Sequence, residues 1–395
     1  MRLRKTIGLI CILALILSAF AGCGGSGSSS GGGSSEAGAD PIKIGINYEL
    51  SGGVATYGQQ SLVGIKMAVD EINAAGGVLG REIVLVERDN KSDEAEAYSI
   101  ATELMTRQGV AAVLGPATSG RFKATIPAAI EYGVPVLSGS ATAEDVTFDE
   151  NGLKEYAFRI CFRDSFQGTA MANFAMNNLS AKKAVIYMDN SSDYAKGLAA
   201  SFKATFTGAG GEIVAEEAYM AGNTDFNAVL TSVKSKDHDV IFIPGYYEEA
   251  GLIIKQAREM GIDAPILGAD GFDSPDLLNL AGADALNNVF FSNHYSSLDK
   301  DPAVLAFISA FKALHGDEPS AFNALGYDMG YFIADAIKRA GSDDPEAVKN
   351  AMAATKNFAG VTGTFSIDAE HNAIKTVVVI GLENGVQATS IKAGL

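Results

Sequence analysis

Val110-Ala111-Ala112-Val113-Leu114 is an apolar run that ends in the polar turn Gly115-Pro116-Ala117-Thr118-Ser119-Gly120. Residues 121–132 then read as a helix, and a second run, Val134-Pro135-Val136-Leu137, ends in Ser138-Gly139-Ser140-Ala141-Thr142. Strand, helix and strand in that order form a unit with parallel strands. The same rhythm extends in both directions. Upstream, residues 42–46 and 82–86 read as strands. The helix between them, at 58–74, carries Leu62, Ile65, Val69 and Ile72 at helical spacing, and 93–108 is a further helix. Downstream, helices at 165–179, 194–207, 225–234 and 248–260 alternate with strands at 183–188, 212–217, 239–243 and 265–267. Such alternation implies parallel sheets covered by helices on both faces. The units are too many for one sheet, so the fold class is α/β with two doubly wound lobes.

After Val289-Phe290-Phe291 the pattern changes to three helices, 301–314, 321–339 and 345–355, followed by strands at 361–367 and 375–380. So uneven a tail implies that the chain returns to the first lobe and then crosses again. No short-period repeat is present.

The chain of 395 residues carries 30 basic and 47 acidic side chains, a formal charge of −17. That balance argues against nucleic acid or an anionic membrane as the partner of the whole surface. At the N-terminus, Arg2, Arg4 and Lys5 precede an apolar run at 7–21. The run is shorter than the ~20 residues that cross a bilayer and reads as a secretory signal. It closes on Phe20-Ala21-Gly22-Cys23, similar to a bacterial lipobox, which makes 1–22 the signal peptide and Cys23 a lipidated first residue. Residues 24–35 are only Gly and Ser, so 23–40 reads as a flexible tether on a lipid anchor, the only membrane attachment expected. Loss of the three basic residues with the signal takes the formal charge to about −20. Of the three cysteines, only Cys161 then belongs to the folded body. It lies in an apolar run and reads as a buried structural thiol rather than a nucleophile.

Several chemistries are missing. Gly115 to Gly120 begins like a phosphate-binding loop, but Arg121-Phe122 follows where Lys and Ser/Thr are required, so nucleotide binding is rejected. No G-x-G-x-x-G follows the first strand, and no nucleophile-elbow Ser stands between a strand and a helix. His238, His294, His315 and His371 stand alone, without Cys or His at ligand spacing, so neither metal nor cofactor is expected. What remains are polar turns after strands, where open α/β sheets bind ligands. Ser119 and Ser140-Ala141-Thr142 offer hydroxyls and backbone N–H groups at helix starts, with a second helix expected from Glu144; such a cradle suits a carboxylate. Asp270, after the strand at 265–267, is a counter-charge for an ammonium. Spacing alone favours the plainer reading of these residues, with Ser119 and Thr142 as helix caps and Asp270 as a turn former.

Ile72-Asn73-Ala74-Ala75-Gly76-Gly77-Val78-Leu79-Gly80-Arg81 followed by Asp89, with Leu50-Ser51-Gly52-Gly53 and Tyr57-Gly58 before it, resembles the branched-chain amino-acid-binding family of periplasmic proteins. The likeness continues through Gly115, the turn at Ser140–Thr142, Tyr194-Ala195-Lys196-Gly197, Gly245-Tyr246-Tyr247 and Pro319-Ser320-Ala321-Phe322, and spans about 41–380. No one of these motifs is specific; their order and separation are. The resemblance implies a type I, Venus-flytrap fold: two lobes joined by three crossing segments. The lobes are expected at 41–158 plus 291–365 and at 159–290 plus 366–395. It implies an amino-acid ligand, most simply branched-chain or aliphatic, and delivery by a monomer to an ABC permease and its ATPase. Ser119 and Thr142 then match the hydroxyls that hold the ligand carboxylate. The Ser140 carbonyl and Thr142, with Ala141 on the same turn, together with Asp270, match the ammonium site. Tyr57, Tyr194, Tyr246 and Phe322 fall at the aromatic positions around the ligand. Arg121 stands where it would either reach a second acid group or be solvated. Two departures stand out: a Cys pair of some members falls near Ser92 and Thr118, and Asp270 replaces a Glu. A sensor that presents its ligand to a signalling partner is the alternative function, and an exported enzyme the reading with least support.

Overall fold

The computed structural model describes residues 40–393. The signal peptide, Cys23 and nearly all of the tether lie outside the described residues.

Two sheets organise the chain. The first is wholly parallel, in the order Ile83–Asp89, Ile42–Tyr48, Ala112–Leu114, Val136–Ser138, Ala157–Arg159. The second runs Val386–Ala393, Val377–Glu383, Val289–Asn293, Ile266–Gly268, Val240–Phe242, Lys183–Asp189, Glu212–Tyr219. Its last five strands are parallel, and the C-terminal hairpin adds to them antiparallel. The central strands are buried along nearly their whole length, as in Ile42–Tyr48 and Val240–Phe242. Burial on both faces is what a parallel sheet between helices requires, and it explains runs of Val and Ile without polar alternation.

The chain leaves the first sheet after Arg159, comes back to the helices that cover that sheet after Asn293, and crosses a third time between Ile367 and Val377. Strand Val289–Asn293 stays in the second sheet to its end, a little beyond the lobe boundary expected at 290/291. Helix Ala321–Ala340 then packs on helix Ala55–Ala74 over the first sheet. Their backbones touch through glycine: a Cβ at Gly64 would lie 2.0 Å from the Asn323 carbonyl oxygen, and one at Gly326 2.1 Å from that of Ser61.

Three expectations are corrected. No helix starts at Glu144; residues 144–147 form a turn that leads into the small hairpin Phe148–Asp149 and Gly152–Leu153. The Glu144 carboxylate instead accepts the Ser165 N–H at 2.6 Å, and Asp145 pairs with Lys123. The helix at 93–108 is α-helical over Glu94–Glu103 and widens to a π-turn over Leu104–Gln108. The strand expected at 361–367 shortens to Gly363–Ile367 and pairs with a separate strand before it, Phe358–Gly360. Strand Ala157–Arg159 and helix Pro275–Ala281 were not anticipated, nor was Val386–Ala393, which closes a hairpin through Asn384 and Gly385, both with positive φ.

Candidate ligand-binding site

The site is built where strand ends of the two lobes face each other. In the first lobe, the Glu49 carboxylate is fully buried and accepts the N–H groups of Ala117 and Thr118 at 3.0 and 3.1 Å and the Thr118 hydroxyl at 2.6 Å. It thereby fixes the start of helix Ser119–Tyr132. Thr118 is the residue at the helix cap, but its hydroxyl is taken by Glu49 and caps no helical N–H. The first turn keeps its donors for something else. Ser119 is the first helical residue, not the cap, and its Oγ accepts the Ala143 N–H at 3.1 Å.

The neighbouring turn is equally fixed. Ser138 Oγ accepts the Ser140 and Ala141 N–H groups and donates to the Pro116 carbonyl. The Ser140 hydroxyl donates to the Ala117 carbonyl at 2.8 Å, so this side chain ties the two turns together. Thr142 caps no helix. Its hydroxyl is buried without a hydrogen-bond partner.

In the second lobe, Asp270 opens a single 3-10 turn after strand Ile266–Gly268 and is 3% exposed. Its Oδ1 accepts from the Tyr194 hydroxyl at 2.7 Å and from Gln167 Nε2 at 3.0 Å; its Oδ2 lies 3.1 Å from His294 Nε2. Gln167 is itself oriented by the Asp270 N–H and the Ser292 hydroxyl. Burial pulls the His294 pKa below its ordinary value, so a neutral ring donates from Nε2 and leaves Nδ1 without a partner.

A second acid stands close by. Asp164 begins helix Asp164–Asn178 just past the first crossing, and its N–H donates to the Thr142 carbonyl at 2.9 Å. It is fully buried, and neither carboxyl oxygen has a hydrogen-bond partner. Burial, reinforced by the nearby Asp270, holds its pKa well above the usual carboxylate range.

Aromatic rings make the walls. Tyr57 stacks on Phe322 at 4.4 Å in the first lobe, and Tyr194 on Tyr246 at 5.0 Å in the second. Tyr57 meets Tyr246 edge-on at 5.7 Å across the gap. Together these groups line a narrow space of about 10 Å³ between the lobes. Tyr57, Ser119, Ser140, Tyr194, Tyr246, Asp270 and Phe322 all line it, with Ala117, Thr118 and Gly271. Ala141 and Thr142 lie just behind that lining, both fully buried. Arg121 does not line it: its guanidinium donates twice to the Ser92 carbonyl, at 2.9 and 2.7 Å.

Sequence reasoning missed Glu49, Asp164, Gln167 and His294. Asp164 has the appearance of an ordinary acid at a helix start, and His294 of an isolated imidazole. Only the three-dimensional meeting of distant segments gives them a shared task.

Residues 41–386 match the family described as periplasmic binding protein. The chain is 35% identical over 312 residues to the Leu/Ile/Val-binding protein BraC3 of Rhizobium johnstonii, covering 79% of this chain and 83% of that one. The chain belongs to the branched-chain amino-acid-binding family of type I periplasmic binding proteins. Among solved structures of such proteins, that of the branched-chain amino acid transporter substrate-binding protein LivJ from Streptococcus pneumoniae, in complex with isoleucine, is similar with a TM-score of 0.86. It is 45% identical, over 90% of this chain and 99% of LivJ. A solute-binding protein of an ABC transporter from R. palustris, in complex with benzoate, is similar at a TM-score of 0.79 and 26% identity, over 90% of this chain and 96% of that one. These relatives are binding proteins, not enzymes. Among the described residues of this family member, no helix is long and apolar enough to cross a membrane.

Proposed function

We propose that the protein captures a branched-chain or other aliphatic amino acid between its lobes, by hinge closure, and delivers it to an ABC importer. One observation carries this reading: the space between the lobes is lined by a helix start with Ser119, by the buried carboxyl group of Asp270, and by the aromatic rings of Tyr57, Tyr194, Tyr246 and Phe322. In this reading the α-carboxylate takes the Ser119 hydroxyl and the N–H groups of the helix start, with Thr142. The ammonium faces the Ser140 carbonyl, the Thr142 hydroxyl, Asp270 and Asp164. Tyr57, Phe322, Tyr194 and Tyr246 hold the side chain, and Ala141 supports the turn from behind.

Closure follows from contacts made only between lobes. The Tyr57 hydroxyl donates to the Gly271 carbonyl and accepts the Tyr247 N–H at 3.2 Å, and the Tyr247 hydroxyl donates to the Gly53 carbonyl at 3.1 Å. A ligand that touches both lobes binds this form better and shifts the population towards it. Expelled water leaves its charged hydrogen bonds in a low-dielectric site.

The family match and the lipobox at Phe20–Cys23 support an extracytoplasmic protein anchored through Cys23, in this reading as a monomer; mass spectrometry of the mature N-terminus tests the anchor. Titration calorimetry of the purified protein tests the ligand. Isoleucine, leucine or valine is expected to bind tightly, whereas isoleucinamide and N-acetylisoleucine, each lacking one charged pole, are expected to bind poorly. If no aliphatic amino acid binds, the reading is overturned.

A further inference from the structure

Among the described residues Arg159 is one of the largest fully buried side chains, and no carboxylate pairs with it. Removing a guanidinium from water without a counter-ion is unfavourable, so its placement calls for a use. Its donors mark two targets. Nη1 reaches the carbonyls of Ala141 at 3.1 Å and Ala143 at 2.7 Å, the residues on either side of Thr142. Nε reaches Asn372 Oδ1 at 2.6 Å. Asn372 also accepts the Thr147 hydroxyl and is held to Asp368 through its own N–H. The Arg159 N–H donates to the His371 carbonyl at 3.2 Å. Asn372 and His371 belong to the turn that precedes the third crossing, and Arg159 is the last strand residue before the first.

We propose that Arg159 is a positioning residue that fixes the peptide groups around Thr142 and ties that turn to two of the hinge crossings. It does not touch ligand. Its planar fork sets the orientation in which Thr142 meets the ammonium, and its other end makes that orientation depend on the hinge. Lysine cannot substitute, because a single ammonium on a flexible stem does not span two carbonyls and an amide at fixed angles. The inference rests on the proposed reading of Thr142 as a ligand-facing group.

A double-mutant cycle tests it. Isoleucine affinity is measured by calorimetry for Arg159→Lys, Thr142→Val and the pair. Each single change is expected to weaken binding about tenfold or more, and the pair no more than the weaker single variant, because both remove the same interaction. In a Tyr246→Phe background, Arg159→Lys is expected to act additively, whereas a general loss of structure would give the same coupling in both cycles. Full additivity with Thr142→Val, or unchanged affinity in Arg159→Lys, overturns the proposal. Unchanged affinity in Thr142→Val alone overturns the reading of Thr142 as well. Should Arg159→Lys fail to fold, Asn372→Ala takes its place in the cycle; it keeps the fork on the turn and cuts the hinge end, and the same outcomes decide.

Discussion

Tyr57 of the first lobe donates its hydroxyl to the carbonyl of Gly271 in the second, one position past Asp270. The acid that faces the cavity is therefore attached directly to a contact that exists only when the lobes meet. Tyr57→Phe deletes this bond and leaves the Tyr247 N–H without its acceptor, while the stack on Phe322 survives. A net hydrogen bond contributes about 1 kcal/mol, and two are lost here, so isoleucine affinity is expected to fall roughly tenfold or somewhat more. Calorimetry checks the affinity, and small-angle scattering of the loaded variant is expected to show a larger open fraction.

Asp270→Asn keeps the shape of the acid and removes its charge. Charge-assisted hydrogen bonds contribute about 1.5–3 kcal/mol, and the new amide NH₂ would face the donors of Tyr194, Gln167 or His294. Isoleucine binding is expected to weaken about a hundredfold or more with the thermal transition of the free protein little changed. An affinity within threefold of the parent would remove Asp270 from the ligand site.

Asp164 links stability to pH in an unusual direction. Its folded pKa is raised by burial, so the folded state holds this proton more tightly than the unfolded chain. Stability then falls as pH rises from about 4, the ordinary carboxylate value, up through the folded pKa. Asp164→Asn removes that slope. The ligand-free variant is expected to melt a few degrees higher than the parent at pH 7 and to lose the advantage towards pH 4, while its isoleucine affinity drops. Melting curves across pH, with and without isoleucine, read both effects; a variant that is less stable at pH 7 would contradict the assignment.

Lys123 joins Asp145 of the first lobe at 2.6 Å to Asp193 of the second at 2.8 Å. The group is partly exposed, and such pairs contribute about 0–1 kcal/mol. Lys123→Met is expected to weaken ligand binding less than fivefold at low salt and by nothing measurable at about 1 M, where the screening length is about 3 Å.

Gly326→Ala places a methyl group 2.1 Å from the Ser61 carbonyl oxygen between two packed helices. Overpacking typically destabilises by about 1–3 kcal/mol, and backbone on the opposite side cannot rotate away. A lower melting temperature with normal affinity in the surviving folded fraction is the expected result.

Much of this arrangement was readable from residue order. Strands such as Ala112–Leu114 and Val240–Phe242 announce themselves as unbroken apolar runs because both faces are covered. Ser119 and Asp270 stand out because each follows such a run in a polar turn. The partners that orient them do not stand out. Gln167 lies 103 positions from Asp270, and His294 lies 24, so no local pattern ties them. The helix expected at Glu144 is undone by tertiary contacts to Ser165 and Lys123, which propensity does not register. The C-terminal hairpin had a local signal, Asn384-Gly385, a dipeptide suited to two consecutive positive φ angles.

The chain contains no tryptophan, so its intrinsic emission comes from 13 tyrosines. Tyr57, Tyr194 and Tyr246 stand on opposite walls of the cleft, and the Tyr57 phenol changes hydrogen-bond partners when the lobes part. The aromatic cage is thus also an optical gauge: opening and closing can be followed in real time by phenol fluorescence, without any attached dye.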